Sequence, residues 1–105
     1  MTTDMLSTDW PVARYIEQLR EHRPRLAERY HISTLGVFGS YARNEQHTGS
    51  DLDVLVTFSQ TPSLFTLVAL QDELSTLLGV PVDLVMKTNL KPRIGRHILR
   101  EVVEI

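Results

Sequence analysis

Length, composition and charge restrict what this chain can be. Its 105 residues, 42% of them apolar, suffice for one compact domain and not for two. No apolar run approaches the ~20 residues that span a bilayer, and the N-terminus does not resemble a signal peptide, so we expect no membrane partner. Cysteine is absent, which excludes disulfides and thiolate metal sites and favours a cytoplasmic location. The net charge of −2 gives no overall attraction to nucleic acid, and we expect no direct nucleic-acid binding.

The N-terminal third predicts a short lead followed by a helix. Residues 1–8 are interpreted as a disordered lead, and residues 9–105 as a single domain. Asp9 is expected to cap a helix that has Pro11 in its first turn, where the missing N–H of proline costs nothing. Apolar residues then recur at helical spacing at Val12, Tyr15, Ile16 and Leu19.

Pro24 interrupts this helical pattern. A proline inside a helix removes one backbone hydrogen bond, and its ring clashes with the preceding turn. We therefore expect the helix to end or kink near Arg23. A second short helical stretch would then carry Leu26 and Tyr30.

Two apolar runs in the middle of the chain predict strands. They cover residues 33–38 and residues 52–58, and the second is apolar at nearly every position, which is typical of a strand buried on both faces. Between them, Ser40–Asn44 is expected to form one helical turn, and a polar loop follows.

A second helix and a third strand follow. The helix should begin at Ser63 and end at Gly79, which suits a left-handed C-terminal position. Its apolar stripe consists of Leu64, Leu67, Val68, Leu70, Leu74, Leu77 and Leu78. Residues 81–85 form the third strand, which contains the single carboxylate of Asp83.

A basic C-terminal helix completes the chain. Thr88 or Asn89 could cap it through Pro92, with Ile94, Ile98 and Leu99 facing the core. The basic surface, formed by Lys87, Lys91, Arg93, Arg96 and Arg100, could be a solvated face, meet an acidic partner or contact nucleotide phosphates. The intermixed elements predict an α+β (mixed α/β) fold, with helices packed against a small mixed β-sheet.

Three aspartates carry the strongest chemical signal. Asp51 and Asp53 point to the same side of the second strand, about 6.5 to 7 Å apart along the backbone. Carboxylates on one face repel each other unless a cation lies between them, and hard oxygen ligands suit Mg²⁺. If the third strand neighbours the second, Asp83 joins them. Two metal ions could then stabilise the attacking and leaving oxygens of an in-line displacement at phosphorus.

The turn at Gly39-Ser40 supplies the second half of this hypothesis. Its exposed backbone N–H groups and hydroxyl suit phosphate oxygens, and Arg43 could add positive charge near a leaving pyrophosphate or merely brace the acidic loop. Each feature also has a structural interpretation. Asp-x-Asp can cap a strand or bind Ca²⁺ in a loop, Gly-Ser is an ordinary turn, and an ion pair with an arginine would satisfy Asp83.

At these residues the sequence resembles a known superfamily. Gly39-Ser40-Tyr41-Ala42-Arg43 followed by Ser50-Asp51-Leu52-Asp53-Val54 is similar to the GSxARG…SDxDL signature of DNA-polymerase-β-like nucleotidyltransferases. The length, the strand around Asp83 and the C-terminal segment, including residues 98–101, resemble the minimal nucleotidyltransferase (MNT) group. The group usually has glycine where this chain has Asn44, and asparagine tolerates the left-handed conformation better than most residues.

The resemblance implies an activity and a partner. MNT proteins act as antitoxins of HEPN-domain toxins, which are RNases, by transferring AMP from ATP to a tyrosine hydroxyl of the toxin. By this resemblance the catalytic and metal-binding residues are Asp51, Asp53 and Asp83, with two Mg²⁺ ions. The residues expected to bind the nucleotide are Gly39, Ser40, Arg43 and Ser50.

Other functions remain open from the sequence. The chain could be an antitoxin that binds its toxin stoichiometrically without catalysis. Nucleotide transfer to a small molecule such as an antibiotic usually requires a further acceptor-binding domain, and templated polymerisation requires domains that hold a duplex. From a sequence of 105 residues we expect neither kind of domain.

Overall fold

The computed structural model describes residues 9–105, so the predicted disorder of residues 1–8 lies outside the described residues. The described chain forms three α-helices and one four-stranded sheet. In chain order these are α1 (Pro11–Tyr30), β1 (Ile32–Phe38), β2 (Leu52–Phe58), α2 (Leu64–Leu78), β3 (Val82–Met86), a short 3₁₀ turn (Lys87–Asn89), α3 (Pro92–Glu101) and β4 (Val103–Glu104). In this part of the chain, no helix has both the length and the apolarity required to cross a bilayer.

Of the two outcomes expected near Arg23, an end or a kink of the helix, the structure of α1 excludes the end. The helix continues through Pro24, and its N-cap is Trp10 rather than Asp9, although Pro11 occupies the first turn as expected. The reason is tertiary packing, because the buried face continues on both sides of the proline. Its members are Val12, Tyr15, Ile16, Leu19, Leu26 and Tyr30. Burial of this stripe offsets the roughly 3 kcal/mol that an interior proline costs.

The sheet has the strand order β3-β2-β1-β4. β1 pairs antiparallel with β2 and with β4, whereas β2 and β3 are parallel and are connected by α2. The first three strands lie within one residue of their predicted bounds. β4 was not predicted because a two-residue strand has no periodicity to detect, and it exists only through its pairing with β1.

The two faces of the sheet are covered differently. α1 and α2 pack on one face with the alternate β2 residues Leu52, Val54 and Val56. The opposite face holds a smaller apolar cluster in which Ile98 of α3 contacts Phe38 and Leu55. Because side chains alternate along a strand, Asp53 lies on the α3 face, beside Leu55.

Helix α2 has the predicted caps. Ser63 accepts a hydrogen bond from the N–H of Thr66 at 3.1 Å, and Gly79 ends the helix with φ of 72°. Its apolar stripe is narrower than predicted, because Leu64 is 75% exposed and Val68 is 49% exposed.

Helix α3 corrects two further predictions. Its N-cap is Lys91 rather than Thr88 or Asn89, which form the preceding 3₁₀ turn. Ile94 and Leu99 were expected in the core, but they are 53% and 46% exposed. α3 buries only Gly95 and Ile98 in a small cluster, so most of its surface faces solvent.

Candidate active site

Asp53 and Asp83 are brought together by the pairing of β2 with β3. The two residues are register partners on adjacent parallel strands. Paired residues on neighbouring strands point to the same face, and the strands are about 4.8 Å apart. Asp83 is exposed, and Asp51 is exposed immediately before β2. The adjacency of the second and third strands, which the three-aspartate hypothesis required, is therefore present.

The pKa of Asp53 reflects the electrostatic cost of placing these carboxylates together. Burial, followed by the negative charges of Asp83 and Asp51, raises its pKa from 3.8 to about 6. Burial disfavours the charged form, and two further carboxylates add repulsion. A cation at this position would relieve both effects.

Gly39 connects the turn after β1 to this carboxylate. It is buried and has φ of 80°, a left-handed conformation that glycine adopts without strain. A Cβ atom at this position would overlap Oδ2 of Asp53. Glycine is therefore required both for the turn and for the close approach of the Asp53 side chain to the backbone.

The predicted turn after Gly39 forms as expected. The carbonyl oxygen of Ser40 accepts hydrogen bonds from the N–H groups of Arg43 at 3.2 Å and Glu45 at 2.8 Å. Asn44 closes the turn with φ of 58°, so it adopts the left-handed conformation anticipated from its replacement of glycine. Ser40 is thereby held at the C-terminal exit of β1, next to Gly39.

Arg43 binds carboxylates on two sides. Its Nε donates to Glu45 at 2.9 Å, and its Nη1 donates to both carboxylate oxygens of Glu101, at 2.9 and 3.1 Å. Of the two roles considered for Arg43, these contacts correspond to bracing of the turn.

Glu101, the last residue of α3, was missed by the sequence analysis. Its Oε2 also accepts the backbone N–H of Gly39 at 2.8 Å. The only available signal was that residues 98–101 belong to the segment that resembles the MNT group, and this signal carried no role for a particular side chain.

Ser50 lies in the loop before Asp51 and is engaged locally. Its hydroxyl accepts the N–H of His47 at 2.9 Å, and its own N–H donates to the carbonyl oxygen of His47 at the same distance. These bonds close the loop that leads into β2. A direct contact of Ser50 with nucleotide stays a prediction.

The donor set suits magnesium without forming a complete cage. Across residues 9–105, no three carboxylate or imidazole side chains are arranged as a ready metal-binding group. Mg²⁺ commonly uses only one or two protein carboxylates and takes its remaining ligands from substrate phosphates and water. Burial of Asp53 and its repulsion by Asp83 and Asp51 together raise its pKa, and such an ion would neutralise the charge on this carboxylate.

Known proteins with similar sequences and folds identify the family. The nucleotidyltransferase domain model matches residues 19–105. Protein adenylyltransferase MntA of Thermococcus cleftensis is 47% identical over 87 residues, which are 83% of this chain and 88% of that protein. A solved structure assigned as a minimal nucleotidyltransferase is 34% identical, has a TM-score of 0.72, and is matched over 98% of this chain and 100% of its own.

One chain of a toxin–antitoxin complex shares the fold. The complex contains a tri-AMPylated Shewanella oneidensis HEPN toxin and an MNT antitoxin. The match has a TM-score of 0.62 and 17% identity, over 86% of this chain and 70% of that chain. At this identity the likeness concerns the fold alone.

The fold predicted from the sequence, a small mixed sheet in a polymerase-β-like nucleotidyltransferase fold, is confirmed. The chain belongs to the nucleotidyltransferase family of enzymes.

Proposed function

We propose that this protein is a Mg²⁺-dependent adenylyltransferase of the cytoplasm. It transfers AMP from ATP to a tyrosine hydroxyl of a HEPN toxin and thereby acts as the antitoxin. The observation that carries the proposal is the register pairing of Asp53 with Asp83, beside the turn at Gly39-Ser40. Similarity to a protein adenylyltransferase supports AMP as the transferred group, and the fold shared with one chain of a complex between a HEPN toxin and an MNT antitoxin supports the HEPN partner.

The proposed reaction is an in-line displacement at the α-phosphorus. The acceptor oxygen forms a bond to that phosphorus, the bond to the bridging oxygen of the β-phosphate breaks, and pyrophosphate leaves. Asp83 takes the proton of the acceptor hydroxyl. Asp51, Asp53 and Asp83 would hold two Mg²⁺ ions, which supply charge stabilisation for the phosphoryl oxygens. Ser40 and nearby backbone N–H groups bind the β- and γ-phosphates, and Arg43 braces the turn.

A protein acceptor suits the layout of the sheet. α1 and α2 cover the face opposite the aspartates, while Asp51 and Asp83 are open to solvent. An acceptor must therefore approach from the α3 side. A groove of about 260 Å³ exists between α2 and β3, but its lining is largely apolar and includes none of the three aspartates. A hydroxyl presented by another protein thus agrees better with the described surface than a small acceptor does.

A non-catalytic antitoxin is the second candidate. One observation favours it: Glu101 occupies the N–H of Gly39, a residue that was predicted to bind the nucleotide. In this case the fold would be retained as a binding surface, and neutralisation of the toxin would depend on stoichiometry alone.

Label transfer separates the two functions. The protein is incubated with α-labelled ATP, Mg²⁺ and a co-expressed HEPN partner, alongside the Asp51→Ala/Asp53→Ala double variant. Asp72→Ala serves as a matched control, because Asp72 is an exposed aspartate on α2. Label should appear on the partner with the wild type and the control, and disappear with the double variant. A stable complex in which the toxin is neutralised but carries no label would refute catalysis and support binding alone.

A further inference from the structure

Glu101 joins the C-terminal helix to the candidate nucleotide turn. Its side chain is only 16% exposed, and its two oxygens accept three hydrogen bonds. One comes from the N–H of Gly39 at 2.8 Å, and two come from Nη1 of Arg43 at 2.9 and 3.1 Å. Bonds between charged groups are shorter and stronger than neutral ones. The carboxylate of Glu101 therefore holds the backbone of Gly39 and the guanidinium group of Arg43 next to each other.

The backbone on both sides of Glu101 is anchored. Three residues before it, Ile98 packs against Phe38 and Leu55. Two residues after it, Val103 pairs with Val37 of β1. Because β1 also leads directly into Gly39, the carboxylate and the turn that it contacts are attached to the same strand. This attachment leaves Glu101 little freedom to move away from the turn.

We propose that Glu101 is a positioning residue for nucleotide transfer. It acts through Gly39 and Arg43, and orients the turn that carries Ser40 before the triphosphate arrives. This inference rests on the proposed function of the same site. Groups that are held in place beforehand need no reordering when the substrate binds.

The alternative is that Glu101 is a placeholder, which a phosphate group displaces from the N–H of Gly39 and from Arg43. Displacement would leave a largely buried carboxylate without its two partners, and an unpaired buried charge is costly. The two roles predict effects of opposite sign on nucleotide affinity. Removal of a positioning carboxylate weakens binding, whereas removal of a placeholder strengthens it.

The test compares Glu101→Ala and Glu101→Gln with Glu104→Gln, a control at an exposed glutamate three residues along the chain. Affinity for a non-hydrolysable ATP analogue with Mg²⁺ is measured by calorimetry. Label transfer to a co-expressed HEPN partner is measured in parallel, and thermal unfolding without nucleotide establishes the folded fraction.

Glu101→Ala should weaken analogue binding about ten-fold or more, because the turn is no longer held by charge-assisted hydrogen bonds and must be ordered when the nucleotide binds. Glu101→Gln should recover most of that loss, since its amide oxygen can still accept the N–H of Gly39. Glu104→Gln should match the wild type. In a double-variant cycle, Arg43→Ala should weaken binding much less in the Glu101→Ala background than in the wild type, because the pair acts as a unit.

Two results would overturn the inference. One is tighter analogue binding by Glu101→Ala, which would make Glu101 a placeholder. The other is unchanged affinity with a lower melting temperature, which would make it a structural residue only. Failure of the wild-type protein to bind the analogue or to transfer label would instead count against the proposed function itself.

Discussion

Replacement of Asp53 by asparagine should stabilise the fold at neutral pH even though it removes a candidate catalytic group. In the wild type, burial and the charges of Asp83 and Asp51 raise the pKa of Asp53 from 3.8 to about 6. A raised pKa means that the folded chain binds this proton more tightly than the unfolded chain. The contribution of Asp53 to the free energy of unfolding is therefore greatest below about pH 4 and is lost as the pH rises through about 6. Asparagine has nearly the same shape and cannot ionise, so it escapes this loss.

The size of the effect follows from the pKa. The difference between about 6 and 3.8 corresponds to about 3 kcal/mol at 1.36 kcal/mol per pH unit. Asp53 is only partly buried, and solvent screening reduces this figure to about 1 to 2 kcal/mol. In a domain of this size, such a gain should raise the melting temperature by about 4 to 12 °C.

Thermal unfolding in metal-free buffer provides the assay. Asp53→Asn should melt above the wild type at pH 8, and the difference should shrink as the pH falls from about 6 towards 4. Added Mg²⁺ should raise the melting temperature of the wild type and so reduce the difference in melting temperature between the two proteins. Asp72→Asn, an exposed change on α2, should have little effect. The reasoning would be refuted if Asp53→Asn were less stable than the wild type, or if the difference in melting temperature were the same at every pH.

Three further changes test other parts of the structure. Gly39→Ala should destabilise by about 1 to 3 kcal/mol and abolish label transfer, because the methyl group would overlap Asp53. Gly49→Ala, also at positive φ but in open space, should retain transfer. Pro24→Ala should stabilise α1 by up to about 3 kcal/mol in denaturant unfolding, and no gain would contradict the continuous helix. Asn44→Gly should change stability by less than about 1 kcal/mol and leave transfer unaltered, whereas a large gain in transfer would show that Asn44 impairs the turn.

Local patterns were sufficient for much of the fold. The apolar runs predicted three strands to within one residue, and Ser63 and Gly79 marked the ends of α2. These signals succeed because strand alternation, N-cap hydrogen bonding and the left-handed C-terminal turn are properties of neighbouring residues.

Predictions that depended on distant contacts were less successful. Proline propensity predicted that α1 would end or kink near Arg23, yet the helix continues through Pro24 with buried residues on both sides of the proline. Helical spacing identified Ile94 and Leu99 as apolar but could not reveal that no described element covers them. β4 exists only because β1 offers it a partner.

The candidate site also combines groups that local sequence predicts with groups that only the tertiary structure brings together. The sequence by itself determined the family, the Gly39-Ser40 turn and the Asp-x-Asp pair, because those groups are neighbours along the chain. Only the tertiary structure decided that Asp83 is the register partner of Asp53 and that Glu101 lies against Gly39. Strand order and helix docking bring together groups that are 30 to 62 residues apart in the chain, through backbone pairing and core packing that no local pattern encodes.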